Sequence, residues 1–318
     1  MRAGTLRRLA GLVTLCLAIS SCGISTSSGS QRKGEGTVVR LAVNPWVGYE
    51  ANAAVIAYLL EHELGYTVEK KKLGEADSWK GLETGQVDLI MENWGHEDLK
   101  QQYIEQKKVA TVVGYTGNQG VIGWYVPKWM AEQYPAILSW QGLNQHVDLF
   151  RTAASGSQGQ LLGGDPSFVT NDEALIKNLG LNYKVVYSGS EAATIKAAIA
   201  AAEQRKPLLF YFYEPQWLHS KASFVRIGLP RHEEGCDADA KAVKCGYPEY
   251  VLDKIMRTQF ARANPDVYEL VENFSWSNRD QNTVAGYIAN DGMTPEQAAE
   301  KWANDNRATW EVWLATNG

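Results

Sequence analysis

The chain has 318 residues, 45% of them hydrophobic, with 31 Lys plus Arg against 36 Asp plus Glu and a formal net charge of −5. An acidic balance argues against nucleic acid or an anionic membrane surface as partner, since both would be repelled. Length and apolar content suffice for two lobes of ordinary size.

At the amino terminus, Arg2, Arg7 and Arg8 accompany an apolar run from Leu9 to Ile19 that is too short to span a bilayer, and Ser20 and Ser21 follow. This is the organisation of an export signal. Ile19-Ser20-Ser21-Cys22 is similar to the lipobox of bacterial lipoproteins, so residues 1–21 are expected to be removed and Cys22 to carry a lipid. An ordinary cleavage site with an incidental cysteine is the alternative. Removal takes three Arg and no acid, leaving a charge of −8. Residues 22–36 are rich in Ser, Gly and charge, cannot bury apolar area, and read as a tether. The protein is therefore expected outside the cytoplasm, anchored to the outer face of the cell membrane or on its periplasmic side.

Strand-like and helical segments then alternate. Val38 to Val43 reads as a strand. Glu50 to Leu64 reads as a helix with Val55, Ile56, Leu59, Leu60 and Leu64 on one face and Gly65 as its stop. Val68 to Leu73 is a strand, Trp79 to Thr84 a short helix and Val87 to Met91 a strand, a βαβ rhythm with parallel strands. The pattern restarts with a strand from Val121 to Val126, then Asp165-Pro166-Ser167 before a helical stretch ending at Gly180. Lys184 to Tyr187, Glu191 to Gln204 and Pro207 to Phe212 read as strand, helix and buried strand. Thr294-Pro295-Glu296-Gln297 has the cap, N1 proline and N3 amide of a capping box. Trp302, Trp310, Trp313 and Leu314 follow at helical spacing and read as core.

Cys16 belongs to the signal, which leaves Cys236 and Cys245 in an oxidising setting where a disulfide is expected, worth roughly 2 to 3 kcal/mol and local in effect. A metal site with His232 and Asp237 competes, but no Cys-x-x-Cys pair supports it. No metal or cofactor is expected. An enzyme finds little support: Ser155-Gly156-Ser157-Gln158-Gly159 misses the Gly-x-Ser-x-Gly elbow, no His-Glu-x-x-His occurs, and Gly117, Gly120 and Gly123 make no dinucleotide fingerprint. His96-Glu97-Asp98 reads as a solvated turn. A secreted hydrolase is kept as an alternative, as is a sensor of the same fold not coupled to transport.

Among 11 Trp and 15 Tyr, several sit at strand ends rather than in periodic stripes: Trp46 after the first strand, Trp94 after the third, Trp124 and Tyr125 within Val121 to Val126, and Tyr213 ending the run from Pro207. Rings converging from separate loops suit a cation without N–H groups, because the ring quadrupole attracts diffuse charge and needs no hydrogen-bond partner. Trp46-Val47-Gly48, Gly65-Tyr66-Thr67-Val68, Leu82-Glu83-Thr84-Gly85-Gln86-Val87-Asp88, Glu92-Asn93-Trp94 and Tyr211-Phe212-Tyr213-Glu214-Pro215-Gln216-Trp217 together resemble the substrate-binding proteins of glycine betaine and choline ABC importers, an OpuAC-like family, over nearly all of residues 38–318.

The resemblance implies an α/β, two-lobed periplasmic-binding-protein fold of type II, each lobe a mixed sheet flanked by helices, with two hinge crossings. It assigns residues 37–117 and 222–318 to lobe one and 118–221 to lobe two. It places Trp46, Trp94 and Tyr213 around a quaternary ammonium group, with Tyr213 standing where the family often has Trp. Gly164-Asp165-Pro166-Ser167-Phe168 resembles the family's Asn-Pro-Gly turn, which makes Asp165 and Phe168 further candidates. Backbone N–H groups after Pro166 would suit a betaine carboxylate, whereas Asp165 would repel it and accept from a choline hydroxyl. Carnitine stays open too. Of Trp124 and Tyr125, at most one faces the cleft, since neighbours on a strand point to opposite sides. Glu92 is expected to bond to nearby backbone or a base, and Trp129, Trp140 and Trp217 to be structural. The implied partners are the importer's permease and ATPase subunits, the membrane through the lipid, and one small ligand held by a monomer that closes on it.

Overall fold

The computed structural model describes residues 34–315, so Cys16, Cys22, the export segment and most of the tether lie outside the described residues. The strands are β1 (Val38–Val43), β2 (Thr67–Lys72), β3 (Leu89–Asn93), β4 (Ala110–Pro127), β5 (Gly159–Gly163), β6 (Tyr183–Tyr187), β7 (Phe210–Glu214), β8 (Phe224–Arg226) and β9 (Glu249–Arg257). They form one mixed sheet in the order β2-β1-β3-β9-β4-β7-β5-β6, with β8 beside β4. β1 pairs in parallel with β2 and β3, and β5 in parallel with β6 and β7. Each end of the sheet is thus a parallel unit with helical crossovers. β4 and β9 run antiparallel between the two units and carry the chain across and back. This is the two-lobed, type II periplasmic-binding-protein arrangement, and β4 and β9 are its two crossings.

Sequence explains the plan locally. Val39, Leu41, Ala42 and Val43 of β1 are buried, as a strand with pairs on both sides requires. β2 is the edge; its Glu69 and three lysines face solvent and discourage further pairing. The helix Val47–Leu59 ends in a π-turn, Leu60–Leu64, closed by Gly65 at φ +80°. It starts three residues before the expected Glu50. Trp46, its N-cap, offers no side-chain cap; the Val47 N–H is instead accepted by Glu191, 144 residues away, at 2.8 Å. Such a cap leaves no local signal.

β9 was invisible to periodicity for a similar reason. Its fully buried Lys254 breaks the apolar pattern, and burial pulls this ammonium down to about 7 while its Nζ donates to the carbonyls of Glu272 and Phe274 at 3.2 and 2.6 Å. β4 is longer than the strand expected at Val121 and bends at two glycines with positive φ, Gly114 and Gly117. A Cβ at Gly117 would lie 2.6 Å from both Ser275 Oγ and the Trp276 carbonyl, so the backbone there needs glycine twice over.

Two apolar clusters form. One joins β1, β3, the helix Val47–Leu59 and the carboxy-terminal helices, where Trp302 stacks on Trp313 at 6.0 Å and meets Trp276 edge-on at 5.3 Å. Trp310 is buried beside them, and the capping box of Thr294 and Gln297 opens the helix Pro295–Asp305. The other cluster gathers Trp124, Leu161, Leu175 and Tyr183 with Ile227, Val243 and Cys245. Cys236 and Cys245 are joined in a disulfide with Cα atoms 6.2 Å apart, and the loop is tied down by Asn178 Nδ2 donating to the carbonyls of Lys241 and Val243, both at 2.9 Å.

Candidate functional site

Between the parallel units lies a cavity of about 540 Å³. Trp46, Trp94, Phe168 and Tyr213 line it, together with Tyr211, Tyr247 and Tyr250. The rings stand as adjacent walls rather than stacks: Trp94 meets Tyr213 at 5.6 Å and 78° and Tyr250 at 5.6 Å and 66°, while Trp46 meets Phe168 at 5.7 Å and 87°. An edge-on contact covers a face of one ring of the pair only, whereas face-to-face stacking covers a face of both.

Each wall is fixed from behind. Glu92 Oε1 accepts from the indole Nε1 of Trp46 at 2.9 Å and of Trp94 at 2.7 Å, and Oε2 accepts from Gln281 Nε2 at 2.9 Å and from Asn52 Nδ2. Burial pushes this carboxyl up to about 7, against the pull of its four donors. Glu92 therefore departs from the expected backbone or base partner: it is the common anchor of two indoles that line the cavity. Glu191 serves Tyr213 likewise, taking the phenol hydroxyl, Gln216 Nε2 at 2.7 Å and the Val47 N–H, with burial again raising its pKa. Asp172 accepts from Tyr247 and Trp124, both at 2.7 Å, and burial pushes it up to about 6. Gly120 of β4 allows Trp94 to approach the strand closely, since a Cβ there would lie 2.5 Å from the indole.

Of the residues singled out from the sequence, Trp46, Trp94, Phe168 and Tyr213 meet at the cavity, and Trp124, Tyr125 and Asp165 do not line it. Trp124 is wholly buried in the second cluster. Tyr125 packs on Phe210 and His219 at 6.1 and 5.4 Å. Both face packed layers because β4 is covered on its two sides at this point. Asp165 turns back on its own loop, accepting from Ser167 N at 2.8 Å and Ser167 Oγ at 2.7 Å. His96 is not in a solvated turn; it is largely buried and bonds to Glu75, and both line the cavity. His232 lies 3.2 Å from Asp237, but both neighbouring cysteines are consumed by the disulfide. Tyr211, Tyr247, Tyr250 and Glu75 escaped the sequence reading. Only the alternation of Tyr211 with Tyr213 on one strand face gave a hint.

A cavity walled by aromatic rings between two units of a type II binding-protein fold defines a solute-binding protein. The profile of the family described as the substrate-binding domain of ABC-type glycine betaine transport systems matches residues 37–305, and the chain belongs to this family. It is similar to the trimethylamine N-oxide-binding protein of Pelagibacter ubique, 24% identical over 302 residues that span 92% of this chain and 94% of that one. Among solved structures it is similar to lactococcal OpuAC in a closed, liganded conformation with glycine betaine, with a TM-score of 0.68, 24% identity and coverage of 88% and 100%. It is also similar to an ABC-transporter choline-binding protein in complex with choline, with a TM-score of 0.71, 22% identity and coverage of 87% and 91%. The protein is thus a substrate-binding component of the ABC-type glycine betaine transport family.

Proposed function

We propose that this protein captures a quaternary ammonium compound in the cage of Trp46, Trp94, Phe168 and Tyr213 and delivers it to an importer's permease and ATPase, performing no chemistry itself. The observation that carries this is the pair of indoles held upright by one buried carboxylate. A methylated nitrogen spreads its charge over methyl groups, so it sheds water cheaply and gains from each ring face. At about 2 kcal/mol per desolvated ring, three or four rings approach the roughly 8 kcal/mol of a micromolar Kd. The compounds named for the similar proteins, trimethylamine N-oxide, glycine betaine and choline, share a trimethylated nitrogen, which supports the same class here.

Rings from both ends of the sheet make full contact only when the lobes approach, so differential affinity for the closed form drives closure about β4 and β9. We place lobe one at residues 37–117 and from about 248 onward. The second lobe then takes 118–247, because Ile227, Val243 and Cys245 pack in the second cluster. Cys22 serves as the lipid anchor, with the protein acting as a monomer at the membrane's outer face. Isothermal titration of the purified protein with tetramethylammonium, choline and glycine betaine tests the reading: saturable binding of at least one is expected, and failure of all three rejects it. Tyr213→Ala should weaken the bound compound about tenfold, since it removes one ring face.

A further inference from the structure

The cage rings come from both lobes, and two acids outside the ring contacts tie those lobes together. We infer that Glu75 and Glu191 form a reciprocal clasp, as positioning residues that hold the rings of one lobe against those of the other; the inference rests on the closure and lobe boundaries proposed above. Glu75 opens the helix Glu75–Thr84 in lobe one, and its Oε1 accepts from the Val169 N–H of lobe two at 3.3 Å. Glu191 opens the helix Glu191–Glu203 in lobe two, and its Oε2 accepts from the Val47 N–H of lobe one at 2.8 Å. These two N–H groups directly follow Trp46 and Phe168, which meet edge-on at 5.7 Å across the same boundary. Each lobe thus supplies one acid and one amide, and each amide is next in sequence to a cage ring.

Both acids are prepared in the same way, with one oxygen held by the acid's own lobe and the other turned to the opposing one. His96 bonds to Glu75 Oε2, while the Tyr213 hydroxyl and Gln216 Nε2, the latter at 2.7 Å, donate to Glu191 Oε1. A carboxylate already fixed loses little freedom when the lobes meet, so more of each bond counts toward closure. Val47 is the first residue of its helix, where an N–H has no partner within the helix and the dipole favours a negative charge. Beside the other bond, a Cβ on Gly74 would lie 3.6 Å from Ser167 Cβ, so the Phe168 loop is seated against the start of the helix Glu75–Thr84. Glu191 does not line the cavity; it acts on a ligand through Tyr213 and through the lobe it catches. Breaking either bond favours the open form, and apparent affinity falls with the population of the closed one.

Residue-resolved amide hydrogen exchange on the purified protein, with no solute added, tests the clasp. In the wild type the Val47 and Val169 amides are expected to exchange at least about tenfold more slowly than in an unstructured chain. Val47→Pro removes one donor and sets a ring methylene against Glu191, while proline suits the first helical position and the extended Trp46 suits the residue before it. It is expected to speed exchange at Val169, in the other bond, at least about threefold, and to leave Leu41, paired on both sides in β1, unchanged. Glu75→Ala is expected to speed exchange at Val47 in the same way, and it carries the test should faster exchange at Leu41 show that Val47→Pro has unfolded. Free-chain exchange of either amide in the wild type overturns the clasp. So does a loss confined to the substituted bond, which would make the two bonds independent. Titration with tetramethylammonium, choline and glycine betaine reads the consequence: Val47→Pro should weaken whichever of them binds by at least about threefold, and an unchanged affinity overturns the clasp's part in binding. Binding of none of the three to the wild type removes the quaternary ammonium reading and leaves the clasp to stand or fall on exchange.

Discussion

Glu92 touches both cavity indoles through a single oxygen, so under the proposed function its protonation should report a bound cation. Burial raises it to about 7, well above the roughly 4.3 of an unfolded glutamic acid. Between those values the folded chain holds more protons than the unfolded one, so stability falls as pH rises across the window and levels off above it. Asp172, pushed up to about 6, adds a contribution of the same sign over a narrower range. A cation in the cage favours the ionised carboxylate, so binding should release a proton, with affinity for choline rising from about pH 6 to about pH 8 and then flattening. Calorimetry in buffers of different ionisation enthalpy reads that proton directly. Glu92→Gln should abolish the release and weaken binding on the order of tenfold at the upper pH; a wild-type affinity indifferent to pH would remove Glu92 from this role.

At the scale of elements, the site depends on where strands end and what lets them approach. Gly120→Ala would drive a methyl to 2.5 Å from the Trp94 ring and 3.0 Å from Leu252, so a loss of about 1 to 3 kcal/mol on urea unfolding is expected together with weakened binding. Glu191→Ala would strip acceptors from the Val47 N–H, the Tyr213 hydroxyl and Gln216 Nε2 at once. Its cost should exceed the roughly 1 to 3 kcal/mol of one orphaned buried group, and a loss below about 1 kcal/mol would contradict the anchoring role. Such dependencies show what the sequence can and cannot disclose. β1, the helix Glu191–Glu203 and the capping box at Thr294 were legible because their signals are local: apolar runs, periodicity, a cap three residues from its partner. Trp46, Trp94 and Tyr213 were legible as aromatics out of periodic register. The first turn of the helix Val47–Leu59, the strand around Lys254 and the three buried carboxylates were not, because each is stabilised by partners far along the chain. Trp124 misled for the converse reason, an aromatic in a strand whose indole N–H is satisfied by a buried acid inside the core.

Across the whole molecule, the cavity wall is assembled from stretches as distant as Trp46 and Tyr250, and one of them is the loop closed by the disulfide, which presents Asp237, Ala238 and Ala240. Reduction, or Cys236→Ser with Cys245→Ser, should cost roughly 2 to 3 kcal/mol and weaken ligand binding while far-ultraviolet circular dichroism stays the same. Retained affinity after reduction would show that this rim is passive. A guest seated among segments so remote in sequence acts as a cross-brace for all of them. Occupancy at a hundredfold excess over Kd adds about 2.7 kcal/mol to the native state. A thermal-shift screen of methylated amines would then rank candidate nutrients by melting temperature alone, without any transport assay.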